Sequence, residues 1–361
     1  MASGLSRMGL ASSPRAPMRA DARTPLTDPY DMARAGRRRA LAVLGAMPVL
    51  LTAWPARGEL LGYPSHAMRL VVPAAEGSAF DALARALAAQ LAGQLGMAAS
   101  VEDRPAANGM AAGELVARAS SDGHTWLLQQ TTFVAQPALE PAPYDPLRDF
   151  QPVAMVATLP LFLAVDARLP VASIGELVAQ ARGQSASVNC GSEAVGTWSH
   201  LVAEQFVRDY AIHAPHVAVK GEGVLIQQVL AGRMTACFAT YPSLAAGVNV
   251  GQLRLLGVTG SVRSLFAPAV PTLREAGVAG FDHSAWVGVF APARTPRPLS
   301  LRVAAELKRV LASGDVRATM LAGGYQPEWE PAESFAAAVR RDAVHWQSLI
   351  READLQLDER G

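Results

Sequence analysis

Residues 68–95, MRLVVPAAEGSAFDALARALAAQLAGQL, decide the fold. The first apolar run is short, a Gly/Ser turn follows it, and from Phe80 onward apolar residues recur at i, i+3 and i+4. The stretch therefore predicts a strand, a turn and a helix. The same beat returns in HTWLLQQ, in FLAVD before SIGELVAQAR, and in ASVNCGS before SHLVAEQFVRDY. It returns again in HVAVKG before GVLIQQVLAG and in TACFATYPS. Further strand signals lie in LRLLGVTG and SAWVGVFAP, and two long helical patterns close the chain, PLSLRVAAELKRVLAS and PAESFAAAVRRDAVHWQSLIREA. Strands alternating with helices at this pitch imply an α/β protein with mainly parallel sheets covered on both faces. The order of segments predicts two lobes, each a mainly parallel sheet flanked by helices: 59–166 plus 284–361 as lobe 1 and 167–283 as lobe 2. Ligands in open α/β sheets sit at the carboxyl ends of the strands, so the cleft between the lobes is the expected site.

Composition narrows the function. The 361 residues are half apolar and 17% charged, with 32 Lys+Arg against 31 Asp+Glu. Residues 1–58 hold nine Arg and three Asp, which leaves 23 basic and 28 acidic residues in 59–361, a net of −5. A mildly acidic body lacks the clustered cationic charge that nucleic-acid binding requires, so nucleic acid is not an expected partner. Within 1–58, Arg37-Arg38-Arg39 precedes the uncharged run ALAVLGAMPVLLTA, and Ala56-Arg57-Gly58 offers small residues for cleavage. This is the pattern of an export signal behind an N-terminal extension, and it predicts a periplasmic mature protein. An uncleaved anchor is the alternative, although the run is short for a membrane span and Pro48 interrupts it.

Recognised catalytic signatures are missing. The chain has no G-x-S-x-G, H-E-x-x-H, Walker loop or complete G-x-G-x-x-G, which removes the readily identified hydrolase, zinc-protease and nucleotide-binding classes. His213 and His216 form an H-x-x-H on Pro-containing chain, where packing or solvent contact is the readier reading than a shared metal. No cofactor and no metal are expected. Cys190 and Cys237 fall in the first and third strand patterns of the second lobe, and adjacent parallel strands rarely present disulfide geometry, so two buried thiols are expected. Ser199 and His200 are adjacent on a helix and point apart, which makes them a poor nucleophile–base pair.

Two strand-to-helix loops carry the binding chemistry. In the first, Glu76-Gly77-Ser78-Ala79-Phe80-Asp81, small residues let backbone N–H groups approach an anion with a helix N-terminus behind them. Asp81 is expected as its N-cap. The second, Gly191 to His200, repeats the design, with Thr197 and Ser199 as hydroxyl donors. Two such ends facing each other would grip a small dianion, and the alternative is that both are ordinary turns.

In this order and spacing, the segments resemble the periplasmic substrate-binding receptors of tripartite tricarboxylate transporters, also called Bug-type solute receptors. The resemblance covers nearly all of 63–361. It is carried by YPSHAMRLVVPAAEGSAFDALAR, VEDRPAANGMAAGELVARASSDGHTWLL, PYDPLRDFQPVAMVAT, NCGSEAVGTWSHLVAEQF, VAVKGEGVLIQQVLAGRM, FATYPS, VPTLREAGVAGF, WVGVFAPARTP and ESFAAAVRRDAVHW. It implies a two-lobed clamshell of the type II periplasmic-binding-protein class, a small organic acid as ligand, and membrane permease subunits as partners. Carried over by position, the ligand contacts are Glu76, Gly77, Ser78, Ala79, Phe80 and Asp81, then Thr131 and Thr132, then Gly196, Thr197, Trp198 and Ser199, with Thr240 after the FAT segment. A monomer that binds and delivers, and catalyses nothing, is expected. The alternative is a sensory module that docks on a signalling kinase ectodomain.

Three departures from the family pattern bear on the ligand. Phe80 brings a bulky ring to the first loop, and with Trp198 it suggests an apolar or aromatic body on the acid. Val219 stands before Lys220-Gly221 where the family has Tyr. Ala239 replaces an Asp of the family's F-D-N-x-P-S segment, and loss of that carboxylate argues against an amino-acid ligand.

Overall fold

The computed structural model describes residues 62–106, 109–183, 189–210, 216–278 and 280–355. The expected export signal and His213 lie outside the described residues, and only the backbone of His216 is described. Eleven strands are present among the described residues: β1 (Met68–Val72), β2 (Ala99–Asp103), β3 (Thr125–Gln130), β4 (Phe150–Leu159), β5 (Phe162–Asp166), β6 (Cys190–Ser192), β7 (His216–Ala218), β8 (Ala236–Ala239), β9 (Leu253–Val258), β10 (Ala285–Pro292) and β11 (Gln326–Pro331). The helices are α1 (Ala79–Leu95), α2 (Met110–Ala117), α3 (Thr132–Leu139), α4 (Ile174–Gly183), α5 (Trp198–Asp209), α6 (Glu222–Leu230), α7 (Tyr241–Asn249), α8 (Arg297–Val310), α9 (Gly314–Ala322) and α10 (Ala332–Glu352).

The strands form two sheets, ordered β11-β4-β10-β3-β1-β2 and β7-β6-β8-β5-β9. Each sheet is mixed. In the first, β1 pairs parallel with β2 and β3, whereas β10 pairs antiparallel with β3 and β4 and β11 antiparallel with β4. In the second, β6 is parallel to β7 and β8, and β5 is antiparallel to β8 and β9. The parallel halves come from the strand–helix–strand units, while strands on the path between the sheets enter in the opposite sense. Because β5 pairs only within the second sheet, the chain leaves the first at Pro160-Leu161, earlier than the departure near Asp166 that the sequence suggests. It re-enters the first sheet at Ala285. The outgoing passage is tied to the end of β9: Leu161 N donates to Thr259 Oγ1 at 2.9 Å, and Thr259 N donates to Leu161 O at 2.9 Å.

Alternation along the strands sends successive side chains to opposite faces. Leu70, Val72, Leu128 and Val289 pack under α1, α8 and α9, while Val71, Leu127 and Phe290 pack against α2, α3 and the first half of α10. The second sheet divides the same way, with Leu163, Val165 and Phe238 on one face and Phe162, Ala164 and Cys237 on the other. The long C-terminal helix serves both lobes. Its Phe335 and Val339 lie in the first lobe's core, and its Trp346, Leu349 and Ile350 lie in the second lobe's. No helix among the described residues is long and apolar enough to cross a membrane.

Register also explains the cysteines. Cys190 aligns with Ala236 and Gly191 with Cys237, so the two thiols stand on opposite faces of one sheet and belong to different apolar clusters. Burial pushes the Cys190 thiol up to about 12 and raises that of Cys237 further. Since the thiolate is the reactive form, native protein is expected to leave an aromatic disulfide reagent unreacted, and denatured, unreduced protein to release two equivalents. Release of none on denaturation would show a bridge and contradict this register.

Candidate functional site

A cavity of about 320 Å³ opens between the lobes. The first lobe supplies Gln130 and Thr132, from the end of β3 and the start of α3, together with Gln136, Leu139, Glu140 and Leu159. The second lobe supplies Leu161, the turn Glu193 to Ser199, Glu222 and Thr240. Thus Thr132 from the first lobe and Gly196, Thr197, Trp198, Ser199 and Thr240 from the second, each expected from the sequence, line the same cavity.

The turn between β6 and α5 is built to present amides. Thr197 caps α5, its Oγ1 accepting from His200 N while donating to Ala194 O at 2.7 Å. Ser199 Oγ accepts from Glu193 N at 3.2 Å, and Gly196 N donates to His200 Nδ1 at 3.0 Å. The two hydroxyls are therefore engaged in shaping the turn, where the sequence suggested they would face a ligand. What remains are backbone groups: among the described residues no acceptor meets the N–H of Ala194 or Val195. The first N–H groups of α5, with the positive end of the helix behind them, lie beside these two. Gly196 sits at φ 79°, a conformation that costs glycine nothing and that lets the chain fold back into the helix.

Trp198 is 5% exposed, packs edge-on against Trp346 with ring centroids 5.0 Å apart, and has an Nε1–H with no hydrogen-bond acceptor. Glu222 is fully engaged on the second lobe. Its carboxylate accepts from Thr240 N at 2.9 Å, from Thr240 Oγ1 at 2.6 Å, and from Ser243 Oγ. The Glu193 carboxylate has no hydrogen-bond or ion-pair partner among the described residues. Burial, then the nearby Glu222, raises its pKa above the ordinary glutamate value.

The first loop is placed differently from the expectation. None of Glu76, Gly77, Ser78, Ala79, Phe80 or Asp81 lines this cavity. Ser78, not Asp81, caps α1, accepting from Asp81 N at 3.2 Å, while Asp81 reaches back to Gly77 N at 2.8 Å and to Arg85 Nε at 2.7 Å. This reciprocal cap occupies the loop's own donor. Burial alone would raise the Asp81 pKa, but the Gly77 N–H and the Arg85 guanidinium outweigh it and hold the carboxyl below its ordinary value. The Phe80 ring is 7% exposed and packs on Tyr325 inside the first lobe, centroids 6.1 Å apart, so it does not narrow the cleft mouth. Thr131 is fully buried, its Oγ1 accepting from Trp286 N at 2.8 Å, and pins β10 to the end of β3. Ala239 faces the apolar cluster behind the second sheet with Cys237 and Leu244. Ala239 itself is not among the residues that line the cavity, although its neighbour Thr240 is.

Sequence reading passed over Gln130, Gln136, Glu140, Glu193 and Glu222. Glu193 lay inside the quoted second loop, and Glu222 follows Lys220-Gly221 at the start of a helix, a position that marks an acidic first turn. One further polar group lies apart from the cleft: the ligand atoms of His66, Asp122 and His124 lie within 4.8 Å of one another. There Ser65 N donates to His124 Nε2 at 3.1 Å, and the two imidazoles stack face to face with centroids 3.6 Å apart. Stacked rings direct their in-plane lone pairs along parallel lines, which suits packing better than a shared ion.

The comparisons agree with this geometry. A family profile described as tripartite tricarboxylate transporter family receptor matches residues 83–355. The chain is 33% identical over 332 residues to the UPF0065 protein in the tcbD-tcbE intergenic region of Pseudomonas sp., covering 91% of this chain and 98% of the relative. It is 28% identical over 298 residues to Protein BugT of Bordetella pertussis, covering 82% of this chain and 91% of that one. Among solved structures, a protein of R. palustris with adipate matches at a TM-score of 0.67 and 28% identity, covering 82% of this chain and 100% of that one. MatC from Rhodopseudomonas palustris with bound malate matches at 0.64 and 27%, covering 80% and 100%.

Proposed function

Because the chain belongs to the tripartite tricarboxylate transporter receptor family, we propose that it is a periplasmic receptor, not an enzyme, that closes its two lobes on a small organic carboxylate and passes it to a membrane permease. The observation that carries this reading is the β6–α5 turn, whose residues, two of them with backbone N–H groups that meet no acceptor among the described residues, line an interlobe cavity at a helix N-terminus. A carboxylate placed there meets donors that are already oriented, so little freedom is lost on binding. Gln130 and Thr132 approach from the opposite wall and hold the rest of the ligand. The 76–81 loop acts at one remove, through Phe80 on Tyr325, whose pKa is raised by burial and then by Glu222 and Glu193 close by.

Closure is a rotation about the two passages between the sheets, at Pro160-Leu161 and just before Ala285, and the ligand favours the closed state by as much as it binds that state better. The relatives that carry malate and adipate support a small aliphatic acid as the guest. A thermal-shift panel of mono-, di- and tricarboxylic acids tests the reading. A specific acid at a hundredfold excess over its Kd is expected to stabilise the folded protein by about 2.7 kcal/mol. A panel in which no acid moves the unfolding midpoint would sink the assignment.

A further inference from the structure

A second contact joins the lobes outside the cavity. Gln326, the first residue of β11 in the first lobe, reaches the segment that follows β9 in the second. Its Oε1 accepts from Ser264 Oγ at 2.6 Å and from Leu265 N at 2.7 Å. Ser264 is 1% exposed, and its Oγ in turn accepts from Phe266 N at 3.2 Å. Phe266 stacks on Tyr241 with ring centroids 5.5 Å apart, and Tyr241 opens α7 directly after Thr240, which lines the cavity. Two residues before Gln326, the turn that leaves α9 meets that same place. Gly324 has φ 84°, and a methyl group built on it would lie 3.2 Å from Cδ of Pro242 and 3.4 Å from Cβ of Thr240. None of Gln326, Ser264 and Leu265 lines the cavity.

Opening the cavity carries Thr240 away from the first lobe, and so away from Gly324 and the strand that continues from it. Hydrogen bonds across that seam belong to the closed arrangement and are exchanged for bonds to water in the open one. We propose that Gln326 is an interlobe clasp: a positioning residue that favours closure through its side-chain carbonyl oxygen, and thereby sets how tightly a guest is held without touching it. The proposal rests on the reading of the chain as a receptor that closes its lobes, and it is independent of which acid is bound. The amide nitrogen of Gln326 meets no acceptor among the described residues, so the clasp uses the side chain as an acceptor only. Two substitutions of similar size therefore separate its role from packing: Gln326→Leu removes the acceptor, whereas Gln326→Glu keeps it.

Calorimetry with the acids that stabilise the wild-type protein tests the clasp. Gln326→Leu is expected to weaken every one of them by a common factor of about tenfold, because a change in the weight of the closed state multiplies all affinities alike. Stopped-flow measurements are expected to place that loss in faster dissociation, with association within about twofold of wild type. Gln326→Glu is expected to stay within about threefold of wild-type affinity, since a carboxylate accepts the same two hydrogen bonds. Ser264→Ala is expected to cost about threefold alone and nothing further in the Gln326→Leu background, the coupling that partners in one contact show. Unchanged affinity in Gln326→Leu overturns the proposal, as does an equal loss in Gln326→Glu or a loss that differs from acid to acid. Each of those results leaves the carboxylate reading standing. Should Gln326→Leu not fold, Ser264→Ala decides in its place. If no acid binds wild-type protein, the carboxylate reading falls and small-angle scattering of the unliganded protein decides the clasp. Gln326→Leu is then expected to have a larger radius of gyration than wild type and Gln326→Glu, and equal radii overturn it.

Discussion

Replacing Ala194 with Asp is expected to lower affinity for the best-bound acid of the thermal-shift panel by at least about 100-fold, a loss of about 2.7 kcal/mol. The methyl group of Ala194 lies on the cavity wall, beside the unpaired N–H groups of Ala194 and Val195 and the start of α5. A carboxylate on that residue takes the place of the guest's own: it fills the donors from within the chain, as an N-terminal capping acid does. It also stands beside Glu193 and repels an incoming anion. The unliganded fold gains from the same contacts, so the thermal midpoint without ligand is expected to hold or rise. Calorimetry and unfolding curves on one preparation thus separate a blocked site from a damaged one. Ala194→Ser, which adds bulk without charge, is expected to retain binding within about tenfold. Undiminished affinity in Ala194→Asp would mean that the guest sits elsewhere.

The second large effect falls on stability. Gly288 is in β10 at the middle of the first sheet, and a methyl group built on it would lie 2.0 Å from Cζ and 2.4 Å from Cε1 of Phe335. Phe335 is itself fully buried on α10, between Trp286 and Phe290 at centroid distances of 5.2 Å each, so its ring has nowhere to retreat. Overfilling a packed interior commonly costs 1–3 kcal/mol and occasionally more, and for Gly288→Ala about 3 kcal/mol is expected in urea unfolding. Pairing it with Phe335→Leu, which makes room for the methyl, is expected to recover at least half of the loss, a coupling that touching residues show and distant ones do not. A cost below about 1 kcal/mol would mean that sheet and helix are not in the contact described.

Much of this architecture could be read from the chain alone because its signals are local. The parallel halves of both sheets follow from strand–turn–helix repeats, each announced by its own apolar period, and the second loop was legible as a strand-to-helix turn, although its hydroxyls read as ligand donors where Thr197 in fact caps the helix. The strand Gln326–Pro331 was not, since its two prolines and two glutamates argue against a strand. It survives at the outer edge of its sheet, where a missing N–H and exposed charges are tolerated. The first loop misled for a related reason: small residues before a helix suit an anion, but Ser78 and Asp81 at this spacing also suit each other, and the internal cap prevails. Glu193 drew no notice because a lone acid in a polar turn is ordinary in sequence. Its place on the cavity wall, with no partner among the described residues, only coordinates reveal.

The C-terminal helix has one end seated in each half of the molecule, with Phe335 in one interior and Trp346 in the other. The proposed hinging at Pro160-Leu161 and before Ala285 must leave that rod intact, so the swing between open and shut can be only as wide as the anchored helix can pivot, like a door hung on a fixed axle. Shortening the chain ahead of Trp346 would therefore do more than trim a tail. It would take away the second half's largest fully buried ring and the surface against which Trp198 rests, and so couple loss of the mouth's shape to loss of the mooring.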